Sequence, residues 1–242
     1  LFGSDRLMHV FKTLGVEEGQ EIRHKSLSAA IEKAQKKVET NHFGARKSLN
    51  DFDQVINDQR EIMYTERNRV LDGEDMHASV AKMFDNVFKG LAEDSIYNEV
   101  IDAEDFKRFI SNTSQVLSIN IELNSGMIGK AAKKDLAKTM ENVGRKLLDA
   151  KIGSIPAPFD YKDIERYILL KVIDIHWMNQ IDDMEFLKQG IGLYSYGQKD
   201  PVLEYKKEGF ELFDAMIKRI EQDTVRMFLA KKFRRDKTGK KE

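Results

Sequence analysis

The chain of 242 residues contains no cysteine and very little proline. Without cysteine it can form neither disulfides nor thiolate metal sites, which suits a reducing compartment. Its three prolines are Pro156, Pro158 and Pro201, so no proline interrupts the first 155 residues. Because proline breaks helices, its scarcity in a chain with 33% charged residues favours an assembly of long helices.

Long apolar runs and an excess of charge are absent as well. The longest apolar runs have four residues, such as 167–170, whereas a membrane-spanning helix needs about 20. We therefore expect no membrane span, and the first residues predict no secretory signal. A net charge of −1 gives no overall attraction to nucleic acid, so no such partner is predicted. Residues 231–242 are locally basic and are predicted to be a disordered tail; a binding arm is the alternative.

Apolar residues recur every three or four positions over most of the chain, which predicts an all-α fold. Between Ser26, a plausible N-cap, and Leu71 there is no proline and only one glycine, so we predict one helix of about 45 residues. A bend is allowed at residues 40–45, and Asp72-Gly73 ends the helix.

Three shorter helical patterns follow, at about 76–92, 104–116 and 130–150, and they predict a small separate helical subdomain. Alternating apolar residues over 116–123 suggest that this segment is extended.

The last third of the chain predicts an antiparallel helical hairpin. Residues 160–188 and 201–229 are amphipathic and similar in length. Gly190 and Gly192 stop the first helix, and Asp200-Pro201 starts the second, because aspartate accepts free N–H groups and proline has a suitable φ.

The motifs of common catalytic sites are missing. The sequence contains no G-x-x-x-x-G-K-[ST], no H-E-x-x-H and no G-x-S-x-G. Glu-x-x-His, a spacing found in di-iron bundles, occurs at Glu21/His24 and at Glu74/His77. Both pairs stand where a helix starts rather than in its middle, so we predict no metal site. The residues alone indicate a mechanical or interaction role, with an enzyme as the weakest alternative.

Two long segments carry a resemblance to a known family. Residues 187–216, "LKQGIGLYSYGQKDPVLEYKKEGFELFDAM", closely resemble the two-helix finger of SecA, the ATPase motor that drives preproteins through the SecY channel of bacteria. Residues 30–71 resemble the long helix of its helical scaffold domain. "LFGSDR" (1–6) resembles the segment after its second nucleotide-binding domain.

The resemblance implies an all-α fold with a long scaffold helix, a small helical wing subdomain and an antiparallel two-helix finger. The parts expected are a scaffold with a spine helix at 1–72, the wing at 73–159, the finger and a return scaffold helix at 160–230, and the tail at 231–242.

The resemblance also implies a function. The chain is expected to be the C-terminal part of a SecA-type motor whose ATP and Mg²⁺ bind in upstream domains, with no cofactor in this part and no ATP hydrolysis by it alone. Expected partners are those upstream ATPase domains, the SecY channel and preproteins. The expected location is cytoplasmic, peripheral at the inner face of the bacterial plasma membrane. The alternative from another class is a non-motor helical adaptor that docks partners along its long helix.

Three sets of site residues follow from the resemblance. The fingertip residues expected to contact the moving polypeptide are Tyr196, Tyr194, Leu193 and Ile191. The residues expected to form the finger turn are Gly190, Gly192, Gly197, Asp200 and Pro201. The residues expected to contact the ATPase domains are Asn57, Gln59, Arg60, Tyr64 and Arg67.

Tyr194 departs from the family pattern, which usually has arginine there, and Lys188 departs in the same way. The missing guanidinium leaves an accessory paralogue as an alternative to the housekeeping motor. For both tyrosines of the tip, packing back onto the hairpin is the alternative to contact with a substrate.

Overall fold

The computed structural model describes residues 25–119 and 128–231. Within these ranges the regular structure is helical, apart from one isolated antiparallel bridge between Val100 and Ala132. The elements in chain order are α1 (Lys25–Leu71), α2 (His77–Ser95), α3 (Ala103–Leu117), α4 (Lys133–Gly153), α5 (Tyr161–Gly190), a 3₁₀ helix (Ile191–Gly197) and α6 (Pro201–Ala230). The predicted all-α fold is confirmed.

Some predictions fall outside the described residues. These are the 1–6 segment, the Glu21/His24 pair, residues 120–123 of the segment expected to be extended, and the tail beyond Lys231.

The predicted long helix is present as α1, which has 47 residues and continues through 40–45. The chain divides into two compact units, 1–54 and 55–242, and the division falls within α1. In the first unit, the apolar side chains of Ile31, Phe43 and Leu49 are exposed. Gly73, with φ +83°, follows the end of the helix at Leu71, as the Asp72-Gly73 pair predicts.

Helices α2, α3 and α4 pack through aromatic side chains and one close approach. Phe84 and Phe88 of α2 are fully buried and stacked, with ring centroids 6.2 Å apart. A Cβ on Gly144 of α4 would lie 2.8 Å from Cδ2 of Phe88, so glycine allows α4 to approach α2 there.

The segment expected to be extended starts differently. Val116 and Leu117 close α3, and Ser118 caps that helix in the left-handed region with φ +54°. The prediction was wrong for these residues because Leu117 is fully buried on the helical face that packs into the core.

Helices α5 and α6 with the 3₁₀ helix form the predicted antiparallel hairpin, called the hairpin below. Aspartates cap both helices: Asp160 accepts from the N–H of Lys162 at 3.0 Å, and Asp200 from that of Val202 at 2.9 Å. Both caps are the side-chain type that stabilises a helix start.

One hydrophobic core joins these elements. It includes Met63 and Val70 of α1, Phe84 of α2, Leu169 of α5 and Phe228 of α6. The Phe84 and Phe228 rings meet edge to face with centroids 6.0 Å apart. The core therefore runs across the predicted boundary at 159/160, and the predicted domain bounds stay predictions.

Candidate functional site

At the tip of the hairpin, residues 190–201, the described side chains of two apolar residues point in different directions. Ile191 is only 3% exposed, whereas Leu193 is 71% exposed. A buried Ile191 anchors the 3₁₀ helix on the hairpin by removing its apolar surface from water. Of these two residues predicted to contact a partner, only Leu193 presents its side chain outward.

Tyr194 packs back onto the hairpin. Its hydroxyl donates a hydrogen bond to Oε1 of Glu208 on α6, and the Lys199 ammonium lies 5.5 Å from the centre of its ring. Lys199 is itself 3.4 Å from Oε1 of Glu204. The hydrogen bond to the Glu208 carboxylate, and the negative charge of that group, raise the pKa of Tyr194 above its ordinary value.

Tyr196 lies in the 3₁₀ helix, but its side chain is outside the part of the chain that the structure describes. The backbone places it three residues beyond Leu193, close to one turn of a 3₁₀ helix. Its predicted contact with a substrate stays a prediction.

The turn uses its glycines less than the sequence suggests. Gly190, Gly192 and Gly197 do not adopt a positive φ, and a Cβ on any of them would meet no atom within 4 Å. The left-handed residue of the tip is Gln198, with φ +58°. The three glycines lie in the predicted connection, but its backbone does not require them.

Four of the five residues predicted to contact the ATPase domains have partly or largely exposed side chains. Asn57 accepts a hydrogen bond from Nη1 of Arg60 at 2.9 Å, and Tyr64 is 50% exposed. Nε of Arg67 donates to Oδ1 of Asp174 on α5 at 2.8 Å, which ties α1 to the hairpin.

Gln59, the fifth, points into the protein and is 6% exposed. Its Nε2 donates to the backbone carbonyl of Gly209 on α6 at 3.0 Å, and its Oε1 accepts from Nε2 of Gln180 on α5 at 3.0 Å. The Gln59 amide therefore bonds both helices of the hairpin, and its predicted contact with the ATPase domains stays a prediction.

Sequence reasoning missed Gln180 and Gly209. The available signal was a polar residue on an apolar stripe: Gln180 follows Ile173 and Trp177 at helical spacing and precedes Met184 by four. Periodicity alone cannot say which helix such a residue faces.

The described residues contain neither a metal-binding cluster nor a helix suited to crossing a membrane. Within residues 25–119 and 128–231, no group of three or more His, Asp or Glu side chains is arranged so that it could hold a metal ion. Glu74 pairs with Arg69 at 2.9 Å, and Nδ1 of His77 lies 2.9 Å from Oε1 of Glu165, so this Glu-x-x-His pair has protein partners. None of the described helices combines the length and apolar character that crossing a membrane requires.

Comparison with known proteins gives a family match over most of the chain. Residues 21–232 match the SecA Wing and Scaffold domain. The chain is 41% identical over 231 residues to the protein translocase subunit SecA of Lachnoclostridium phytofermentans, which covers 95% of this chain and 27% of that protein. It is 38% identical over 248 residues to the protein translocase subunit SecA of Caldicellulosiruptor saccharolyticus. That alignment covers 95% of this chain and 27% of the relative. It is 39% identical over 226 residues to protein translocase subunit SecA 1 of Clostridioides difficile. That alignment covers 93% of this chain and 25% of the relative. The chain thus spans about a quarter of the length of these relatives.

Proposed function

Because the chain belongs to the SecA family through its wing and scaffold region, we propose that it is the C-terminal part of a motor that moves preproteins through the SecY channel. In this proposal ATP and Mg²⁺ bind to domains outside this chain. The chain supplies the moving parts, namely the hairpin that meets the polypeptide and the helix α1 that carries motion to it. Its place is the cytoplasmic face of the bacterial plasma membrane, bound peripherally.

The observation that carries the proposal is the exposed apolar tip of a well-anchored hairpin. Leu193 leaves 71% of its side chain in water, while its neighbour Ile191 is buried and Asp200 fixes the start of α6. An apolar side chain held outside the fold on rigid helices suits contact with a partner of varied sequence, because apolar burial is not directional. Tyr196 adds an aromatic face for the same kind of contact.

Exposed polar and aromatic residues of α1 support contact with the ATPase domains. Asn57, Arg60 and Tyr64 lie on the described surface of the helix, and Arg67 bonds Asp174 beside them. We assign the first three to that contact and Arg67 to the link between α1 and the hairpin.

The test is ATP-driven transport of a preprotein into SecY-containing vesicles by the full-length protein that carries this region. Leu193→Asp and Tyr196→Ala should each slow transport at least about tenfold, because each removes about 1.4 kcal/mol of contact with the moving chain. ATP hydrolysis without vesicles should be retained.

The matched controls are Val100→Asp and Tyr97→Ala, which change exposed residues of the same types between α2 and α3. They should transport at the wild-type rate. Wild-type transport by both tip variants would refute the contact proposed for the tip.

A non-motor adaptor is the second candidate, favoured by the exposed Phe43 and Leu49 of α1. The complete coding sequence separates the two candidates. A phosphate-binding loop before residue 1 supports the motor, and its absence supports the adaptor.

A further inference from the structure

Two buried amides meet a backbone carbonyl where α1, α5 and α6 pack together. Gln59 is 6% exposed and Gln180 is 2% exposed. Gln180 donates to Gln59 at 3.0 Å, and Gln59 donates to the carbonyl of Gly209 at 3.0 Å. The surrounding side chains are apolar, with Sδ of Met184 at 3.9 Å from the same Gln59 nitrogen.

These amides specify one alignment of the helices. A buried amide without its hydrogen bonds is costly, so the arrangement is stable only where Gln59 faces both partners. Moving α6 by one residue along α1 would take the Gly209 carbonyl away from Gln59. Apolar side chains alone would tolerate such a shift more easily, since their attraction has no direction.

Gly209 makes the close approach possible. A Cβ at this position would lie 2.9 Å from Cε of Met184 and 3.3 Å from its Sδ, with Cγ1 of Val55 at 3.5 Å. A Cβ here would first displace the flexible end of the Met184 side chain, which lies beside the Gln59 amide, and only a larger side chain would push α6 away from α5 and α1. The absence of a side chain at position 209 matters for space rather than for backbone conformation, because the residue lies within α6 and has no positive φ.

We propose that Gln59, Gln180 and Gly209 form a joint that fixes the hairpin on α1 and so sets the position of its tip. These are positioning residues: they touch no substrate and act through the hairpin. Their role in transport rests on the proposed function, whereas their role in alignment does not.

The first experiment measures alignment in this chain alone. Because the sequence has no cysteine, spin labels can be attached only at introduced cysteines, here Thr65→Cys on α1 and Leu203→Cys on α6, both exposed. The distance distribution should be narrow in the otherwise unchanged chain. It should broaden about twofold in Gln59→Met/Gln180→Met, which keeps the volume and removes both amides.

The matched control is Thr224→Val on α6. It also removes a buried polar group, a hydroxyl with no hydrogen-bond partner among the described residues, but lies away from the joint. Its distribution should stay narrow. Gly209→Leu keeps both amides but adds a side chain too large for a movement of Met184 alone to accommodate, so it should shift or broaden the distance even if the double variant folds poorly. Narrow, unshifted distance distributions in Gly209→Leu and in the folded double variant would refute the proposed joint.

The second experiment measures coupling in the full-length protein. The amount of preprotein transported per ATP hydrolysed should fall at least about threefold in Gln59→Met/Gln180→Met, with the Tm and the ATPase rate kept. If the two glutamines only stabilise the fold, the amount of preprotein transported per ATP will stay unchanged. That result would refute their proposed role in transport. If the Leu193→Asp and Tyr196→Ala proteins transport preprotein normally, the proposed function is refuted. The spin-label distances still show whether Gln59, Gln180 and Gly209 align the helices.

Discussion

Glu165 is a buried carboxyl group with only half of its hydrogen bonding satisfied. It is 1% exposed, and its Oε1 lies 2.9 Å from Nδ1 of His77 at the start of α2. Oε2 has no hydrogen-bond partner among the described residues. Burial raises the pKa of Glu165 above its ordinary value, and the hydrogen bond from His77 acts in the opposite direction.

The raised pKa predicts a stability that depends on pH. The native protein holds the Glu165 proton more tightly than the unfolded chain does, so protonation of Glu165 stabilises the fold. This contribution to the free energy of unfolding is complete below about pH 4.5 and is lost as pH rises through the pKa of Glu165 in the native protein. Glu165→Gln should therefore raise the Tm at about pH 8, where the charged oxygen without a partner costs about 1–3 kcal/mol. The gain should vanish towards about pH 4.

Thermal unfolding followed by circular dichroism over this pH range tests the prediction. Glu61→Gln, an exposed change on α1, is the control and should leave the pH profile unchanged. A Glu165→Gln protein that is less stable than wild type at the higher pH would contradict the argument.

Among the helices, the contact between α2 and α4 depends on a single glycine. A Cβ on Gly144 would lie 2.8 Å from Cδ2 of the fully buried Phe88, whose ring is stacked on Phe84 within the core. Gly144→Ala should lower the free energy of unfolding by about 1–3 kcal/mol, because overpacking outweighs the gain in helix propensity.

Gly90 offers the matched comparison, because it lies within α2 and a Cβ there meets no atom within 4 Å. Gly90→Ala should raise the free energy of unfolding by up to about 1 kcal/mol. Urea titration of both variants gives the two values. Equal stabilities for the two alanine variants would mean that the close approach at Gly144 relaxes at no cost.

The elements were predictable from the sequence, but their partners were not. Helical spacing identified the six α-helices of residues 25–119 and 128–231, and Asp200-Pro201 marked the start of α6, because caps and periodicity are local. The burial of Ile191 and the inward amide of Gln59 depend on residues distant in the chain. No local pattern separates them from the exposed Leu193 or Asn57. Leu117 likewise joined a helix because of the core that it enters.

For the molecule as a whole, the continuous core predicts one cooperative transition for the part from α2 to α6. Phe84 of α2 packs against Phe228 of α6, and Trp177, the one tryptophan of the chain, is buried on α5. Phe84→Ala should cost about 3–5 kcal/mol and should shift the unfolding transition seen by Trp177 fluorescence by the same amount.

Tyr97→Ala, an exposed aromatic change between α2 and α3, should leave that transition in place. If residues 73–159 instead fold as an independent subdomain, Phe84→Ala will leave the fluorescence transition unmoved while circular dichroism reports a second, earlier one.

Because α6 is long, a small rotation at its core end would produce a large displacement of the hairpin tip. Its 30 residues begin at the hairpin tip with Pro201 and end beyond Phe228 in the core. At about 1.5 Å per residue, the helix is about 45 Å long. If the hairpin turns together with the part of α1 to which Gln59 joins it, a rotation of about 5° at the core end would carry the tip about 4 Å, close to the roughly 3.3–3.6 Å that one residue of an extended polypeptide occupies. A tilt of a few degrees at the core end would therefore become a displacement of several ångströms at the tip.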